Sequence, residues 1–198
     1  ILGIIFYNCF NLNFYKNFYQ KENLAPKIGT TYDNLIQNTT NLLDYLNHKT
    51  TLNLDWYSDK DILHMQDVRT LYNVSYKTMV FFFVLFIIST ILLVFLCKEK
   101  ILFYISRTFN KILISFIIVI GILSCIISYN FTSFWIKFHQ LLFSNYLWLL
   151  SPDESNLIQM VPEEFFISLI TTIIIHIFIL FITLFVLNTL VRKRFKNN

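Results

Sequence analysis

The chain has 198 residues, of which 56% are hydrophobic and 14% are charged, and its mean hydropathy of +0.57 excludes an ordinary soluble domain. It has only three glycines and three prolines, and it contains neither a glycine-rich phosphate loop nor a repeat typical of a solenoid. The formal net charge of +4 is explained by basic segments beside apolar runs, so we expect an integral membrane protein that does not bind nucleic acid.

Apolar runs predict the membrane helices. The chain begins with the run 1–15, which we interpret as the outer part of a first transmembrane helix, with a signal-peptide remnant as the alternative. The runs 78–97, 112–136 and 165–191 lack Asp, Glu, Lys and Arg, and each can cross a bilayer, which takes about 20 apolar residues. The predicted fold is all-α, with four transmembrane helices and a helical extracytoplasmic domain.

The distribution of charge predicts the orientation. The loop 98–111 and the tail 192–198 together carry eight basic residues and one acid, Glu99, so the positive-inside rule places both in the cytoplasm. The segments 16–77 and 137–164 carry eight basic and eleven acidic residues and are expected outside the cell membrane. Both chain ends are then cytoplasmic.

Two helix starts are predicted in the first outer segment. Thr30 with Asp33 has capping-box spacing, and the amphipathic helix that follows could pack within the outer domain or lie in the headgroup layer. Ser58 with Asp61 has the same spacing and predicts a helix over about 59–72.

This second helix carries His64, the first candidate for catalysis. Asp61 and Asp67 lie three residues before and after it, on the same helical face. Either carboxylate could accept a hydrogen bond from one imidazole nitrogen and fix the tautomer of the other. A histidine oriented in this way can serve as a general base.

His139 is the second candidate, just beyond the third apolar run. A short inner loop makes the second and third spans antiparallel neighbours, so their outer ends should lie close together and bring His139 near His64. The stretch 141–150 predicts an interfacial or re-entrant element. The site is therefore expected at the outer membrane boundary.

The other histidines and a metal site are weaker hypotheses. We expect a structural role for His48, which lies in a polar loop. His176 lies in the fourth span, where an ionisable residue can be functional or can bond a neighbouring helix. A metal site from His64, His139 and Asp67 lacks a local ligand spacing such as His-x-x-x-His, so neither a metal nor a cofactor is predicted.

The segments around the two histidines resemble a known family, the bacterial four-span membrane proteins grouped as DUF1461, which include the lipoprotein intramolecular transacylases. The resemblance runs from about residue 32 into the fourth helix. The matching segments are 61–69 (DILHMQDVR), 138–145 (FHQLLFSN), 148–152 (WLLSP), 157–162 (LIQMVP) and 165–166 (FF).

The resemblance implies an enzyme that acts on membrane lipoproteins whose amino-terminal cysteine carries a diacylglyceryl group. It would move the sn-2 acyl chain onto the α-amine of the same molecule and give the lyso form, with lipoprotein and membrane lipid as its only expected partners. The family's functional histidines fall on His64 and His139. Supporting candidates from the matching segments are Asp61, Asp67, Arg69, Asn145 and Trp148.

The chain departs from the family pattern after the tryptophan. Ser151 and Ser155 stand where the family often has acids, and the neighbouring Asp153 and Glu154 could substitute for them. The sequence does not decide between substitution, altered activity and acids that are not essential, so none of these residues is assigned a catalytic role.

The absence of a nucleophile in the sequence motifs agrees with an intramolecular reaction. The chain has no Gly-x-Ser-x-Gly motif and no cysteine in the predicted outer segments, so an acyl-enzyme is not expected. When ester and amine share one molecule, positioning alone can contribute up to about 7 to 11 kcal/mol. Two alternatives remain: a phospholipid-dependent acyltransferase or lipid hydrolase, and a non-catalytic membrane sensor or scaffold.

Overall fold

The computed structural model describes residues 1–97 and 101–196, and every regular element in these two ranges is an α-helix. The predicted helical class is thus confirmed. Lys98, Glu99 and Lys100 of the predicted inner loop lie outside the described residues, as do 197–198 of the predicted tail. The helices are α1 (Leu2–Cys9), α2 (Leu12–Glu22), α3 (Leu24–Lys27), α4 (Tyr32–Leu46), α5 (Asp59–Cys97), α6 (Ile101–Tyr129), α7 (Phe131–Leu142), α8 (Asn156–Met160) and α9 (Glu163–Lys196).

Three of these helices are long and apolar enough to cross a membrane. They are the stretches Asp59–Leu96 of α5, Ile105–Tyr129 of α6 and Glu163–Lys193 of α9. The outer helix predicted over about 59–72 and the apolar run 78–97 form one continuous element, because no Gly or Pro lies between them to end the helix. His64 therefore lies near the amino-terminal end of a helix long enough to cross a membrane.

The apolar run 112–136 is divided between two helices. α6 ends at Tyr129, and Asn130 adopts an extended backbone with φ −153° and ψ 91°. Its side-chain oxygen accepts a hydrogen bond from the Ser133 backbone N–H at 2.9 Å, which caps α7. A span defined by the absence of charged residues does not detect this break, because asparagine carries no charge. Because of this break, His139 lies on the separate helix α7 and not on α6.

The amino-terminal run 1–15 is also divided. α1 packs against α9 and α5, and Asn11 begins α2 by accepting a hydrogen bond from the Asn13 backbone N–H at 3.1 Å. With eight residues, α1 is shorter than the roughly 20 residues that a bilayer requires. A fourth membrane-spanning helix stays a prediction.

The short helices α2 and α4 pack around a small aromatic and aliphatic core. Leu35 on α4 is fully buried and Tyr19 on α2 is 1% exposed, and the Tyr19 hydroxyl lies 2.9 Å from the Thr39 hydroxyl. Burial of the apolar face of α4 favours packing against the neighbouring helices over binding in the headgroup layer. Its cap is Thr31, one residue after the predicted Thr30.

Polar side chains hold the amino-terminal part of α6 against the carboxyl-terminal part of α9. The Asn188 amide donates to Asn110 Oδ1 at 2.7 Å, and the Asn110 amide donates to Thr189 Oγ1 at 3.1 Å. Such bonds between membrane helices satisfy groups that lipid cannot. They fix the α6–α9 pair at the end of α6 that is opposite to α7.

Candidate active site

The start of α5 is a capping box that places His64 one turn inside the helix. The Ser58 backbone N–H donates to Asp61 Oδ2 at 3.1 Å, and the Asp61 N–H donates to Ser58 Oγ at 3.2 Å. Two backbone donors at the helix end are thereby satisfied reciprocally. The predicted pairing of Ser58 with Asp61 is confirmed.

The rings of the two candidate histidines lie close together, as the short loop between the second and third predicted spans led us to expect. The ring centroids of His64 on α5 and His139 on α7 are 6.1 Å apart with an interplanar angle of 36°, and each residue is 8% exposed. Phe143 contacts both rings, at centroid distances of 5.4 Å and 5.8 Å. A shared apolar environment therefore surrounds two groups that can carry protons.

A backbone contact defines the tautomer of His139. Its Nδ1 lies 2.8 Å from the Trp135 carbonyl oxygen, and because a carbonyl can only accept, Nδ1 donates. The neutral ring then carries its lone pair on Nε2. The Trp135 ring meets the imidazole edge to face at 4.6 Å, while the Trp148 ring stacks on it at 5.0 Å with an angle of 30°.

His64 is buried without a hydrogen-bond partner for its Nδ1 among the residues that the structure describes. The pKa of His64 is lowered to about 4, because burial and then the nearby His139 lower it more than Asp67 and Asp61 raise it. Burial also lowers the pKa of His139 below its usual value, against the effect of its bond to Trp135. Both imidazoles are therefore neutral at pH 7.

The two aspartates beside His64 are bonded elsewhere. Asp67 Oδ2 accepts from the Asn145 amide at 2.8 Å, and the fully buried Asp61 accepts from Ser155 Oγ at 2.5 Å as well as from Ser58. The expected orienting bond from a carboxylate to His64 does not occur within the described ranges. Their influence on His64 is electrostatic, because both raise its pKa through space.

Three other candidates lie outside this pair. Arg69 donates to His48 Nδ1 through Nε at 3.1 Å and stacks over the Tyr45 ring at 4.6 Å, so it belongs to the α4–α5 contact rather than to the histidine pair. His48 Nε2 completes that contact, 2.8 Å from Asn73 Oδ1. The side chain of His176, near the middle of α9, is exposed.

The serines left unassigned by the sequence have different environments. Ser155 is 2% exposed, caps α8 and donates to Asp61, whereas Ser151 Oγ accepts only a long 3.4 Å bond from the Asp153 N–H in an exposed turn. Asp153 and Glu154 are exposed and line a cleft of about 310 Å³ together with residues 54–58. Neither acid occupies the position of Ser155 beside Asp61.

Two aromatic contacts were missed from the sequence. Trp135 precedes His139 by one helical turn, and Phe143 follows it by one, so i±4 spacing on α7 was the signal that could have identified Trp135. Among the described residues, no three His, Cys, Asp or Glu side chains are grouped to hold a metal ion. The arrangement is suited to proton transfer in an apolar environment.

Comparisons with known proteins agree on one family. The family model described as "Lipoprotein intramolecular transacylase Lit" matches residues 1–166. A search of the curated proteins gave no match.

Solved structures of one bacterial protein share the fold. The membrane integral lipoprotein intramolecular transacylase Lit from Bacillus cereus is 24% identical, with a TM-score of 0.74 over 98% of this chain and 90% of that chain. A variant of that protein with one histidine replaced by alanine is 23% identical, with a TM-score of 0.75 over 100% of this chain and 88% of that one. At these identities the likeness establishes a common fold.

Proposed function

The chain belongs to the lipoprotein intramolecular transacylase family, and we propose that it moves the sn-2 acyl chain of a diacylglyceryl-cysteine lipoprotein onto the α-amine of the same molecule. The supporting observation is the pair of buried, neutral imidazoles whose rings lie 6.1 Å apart. In the reaction a C–N bond forms at the ester carbonyl, the bond between the acyl carbon and the sn-2 glyceryl oxygen breaks, and one proton passes from nitrogen to that oxygen. Atoms balance without water, cofactor or acyl-enzyme.

His139 is the better general base of the two. Its Nδ1–H is held by the Trp135 carbonyl, so Nε2 presents a lone pair to the amine. When the ring takes up the proton, that carbonyl and the face of Trp148, 5.0 Å away, stabilise the positive charge. His139 thus has partners for both of its protonation states.

His64 is suited to a neutral role. Its pKa of about 4 keeps it uncharged, and an N–H directed at the ester carbonyl would stabilise the oxyanion of the tetrahedral intermediate. The proton that His139 holds can then pass to the departing glyceryl alkoxide. Asp61 and Asp67 act on His64 through space and raise its pKa, against the larger effect of burial.

The membrane arrangement completes the proposal. Spans in α5, α6 and α9 fit a multi-pass protein of the cell membrane, and the basic residues 192–194 at the end of α9 favour a cytoplasmic carboxyl end. The histidine pair then lies at the outer leaflet, where a lipoprotein presents its acyl chains. Lipoprotein and membrane lipid are the partners that this arrangement requires.

The test replaces each histidine with glutamine in a host that makes only diacylglyceryl lipoprotein. Mass spectrometry of the lipoprotein amino terminus should reveal the N-acyl lyso form with the wild-type chain and none with His64→Gln or His139→Gln. His48→Gln is the matched control and should retain the product, because His48 contacts Arg69 and Asn73 instead. Full activity in either of the first two variants would remove that histidine from the mechanism.

A further inference from the structure

Asn145 links the segment after α7 to the helix that carries His64. Its amide nitrogen donates to Asp67 Oδ2 at 2.8 Å, across 78 positions of sequence. Asp67 lies on α5, three residues after His64, on the same face of the helix. This bond therefore restrains the distance between His64 and the segment 143–150.

Asn145 also positions Trp148, whose ring stacks on His139. The Trp148 indole N–H donates to the Asn145 carbonyl oxygen at 2.9 Å, and Asn145 Oδ1 accepts from the Leu147 N–H at 3.0 Å. These bonds hold the Trp148 ring against His139, at a centroid distance of 5.0 Å. Asn145 thus connects both halves of the candidate site, through its side-chain amide to Asp67 and through its backbone carbonyl to Trp148.

Such a connection is needed because the two histidines belong to different helices. In the described ranges α7 packs closely on α6, and α6 on α5, but α5 and α7 are not a closely packed pair. Lys60 Nζ makes a second, exposed contact between α5 and this segment, at 2.5 Å from the Leu149 carbonyl oxygen. Of these two contacts, the bond between Asn145 and Asp67 is half-buried, and its α5 partner lies three residues from His64.

We propose that Asn145 is a positioning residue that sets the placement of His139 and Trp148 relative to His64 during acyl transfer. The proposal rests on the proposed function of the two histidines and gives Asn145 no contact with substrate. Acyl transfer between two groups of one molecule depends on near-attack geometry, and a displacement of about 1 Å can cost about 100-fold in rate. Loss of the bond should therefore lower kcat more than it changes KM.

Three variants distinguish the effect of the hydrogen bond between Asn145 and Asp67 from the effect of the Asp67 charge. Asn145→Asp keeps the acceptor for Leu147 and the carbonyl for Trp148, but it removes the donor to Asp67 and places two carboxylates together. Asp67→Asn removes the charge and keeps an acceptor for the Asn145 amide. The double variant restores the bond in the opposite direction, with residue 67 as donor. Asn156→Ala is the matched control, because it breaks a 2.7 Å bond to the Trp56 carbonyl away from the pair.

The measurement is kcat and KM per folded enzyme, with a synthetic diacylglyceryl lipopeptide as substrate. Asn145→Asp should lower kcat about 100-fold with KM changed less than about threefold. The kcat of Asp67→Asn should fall much less than that of Asn145→Asp. The kcat of the double variant should be at least tenfold above that of Asn145→Asp, and Asn156→Ala should have the kcat of the wild type. A purely structural role would lower the amount of folded protein and leave kcat per folded molecule unchanged.

Several results would overturn the proposal. One is a folded Asn145→Asp enzyme with wild-type kcat. Another is a fall in kcat for Asp67→Asn as large as that for Asn145→Asp. A third is a folded double variant whose kcat is no higher than that of Asn145→Asp. If Asn145→Asp does not fold, a folded and active double variant supports positioning, and failure of both to fold assigns Asn145 to stability alone. The proposed function fails separately, when His64→Gln and His139→Gln remain active.

Discussion

His64 and His139 owe their proton chemistry to the apolar side chains around them. Imidazole in water has a pKa near 6.5, but burial shifts both rings toward the neutral form, and His64 reaches about 4. A neutral imidazole can accept a proton from an amine whose pKa is about 8, or donate a hydrogen bond to an oxyanion. The positions of Trp135 and Phe143 therefore matter to the reaction through desolvation.

The stability of the protein should depend on pH through His64. Its pKa is about 6.5 unfolded and about 4 folded, so the unfolded state binds the proton more readily and stability falls as pH drops through this window. We expect a loss of roughly 1 to 2 kcal/mol between pH 7 and pH 5 that is absent in His64→Gln.

Thermal unfolding in detergent at pH 7, 6 and 5 measures this difference. His48→Gln is the control, because His48 lies exposed in the α4–α5 contact. Identical pH dependence in the wild type and His64→Gln would contradict the lowered pKa of His64.

Local residue patterns predicted part of this site from the sequence. Ser58 and Asp61 interact over three residues, so their pairing follows from helix geometry, and His64 is placed with them. The bonds from Asn145 to Asp67 and from Ser155 to Asp61 span 78 and 94 positions, and no local rule connects such residues. The expectation that a carboxylate orients His64 failed because these distant partners occupy both aspartates.

At the scale of elements, Asn130 decides which helix carries His139. The absence of charged residues predicted one span over 112–136, because an uncharged asparagine does not interrupt such a run. The structure instead ends α6 at Tyr129 and turns the chain into α7 (Phe131–Leu142), which brings His139 beside α5. Asn130 is followed three residues later by Ser133 and not by an acid, so it lacks the capping-box spacing that identified Ser58.

Replacing the cap should therefore affect both stability and activity. Asn130→Ala removes the acceptor for the Ser133 N–H, which costs about 1 kcal/mol, and favours fusion of α6 with α7. Asn130→Asp keeps the cap and is the matched control. Thermal unfolding and kcat should both fall for alanine and stay near wild type for aspartate. Equal behaviour of the two variants would mean that the cap does not position α7.

At the scale of the whole molecule, the proposal requires the histidine pair to lie on the outer side of the membrane. Single cysteines at the exposed positions Asp153 and Lys193, in a chain whose Cys9, Cys97 and Cys125 are replaced by serine, report the two ends of the spans. In intact cells a membrane-impermeant maleimide should label Asp153→Cys and not Lys193→Cys. The reverse pattern would contradict the orientation inferred from the basic residues.

The fold class and the three long spans follow from composition, since a bilayer imposes length and apolarity on each crossing helix. The division of 1–15 into α1 and α2 does not, because the break depends on a side-chain cap at Asn11 and on packing of α1 against α9. Membrane constraints thus predict the long elements, while tertiary contacts decide the short ones that surround the histidines.

The central claim is that the acyl chain moves within one molecule, and an isotope label tests it most directly. Purified enzyme in phospholipid-free detergent is incubated with a synthetic diacylglyceryl lipopeptide whose sn-2 acyl chain alone is labelled, mixed with an unlabelled lipopeptide of different peptide mass. Tandem mass spectrometry should find products of unchanged total mass, with the label in the amide on the α-amine of the first peptide only. Label on the second peptide, release of labelled fatty acid, or reaction only after phospholipid is added would contradict intramolecular transfer.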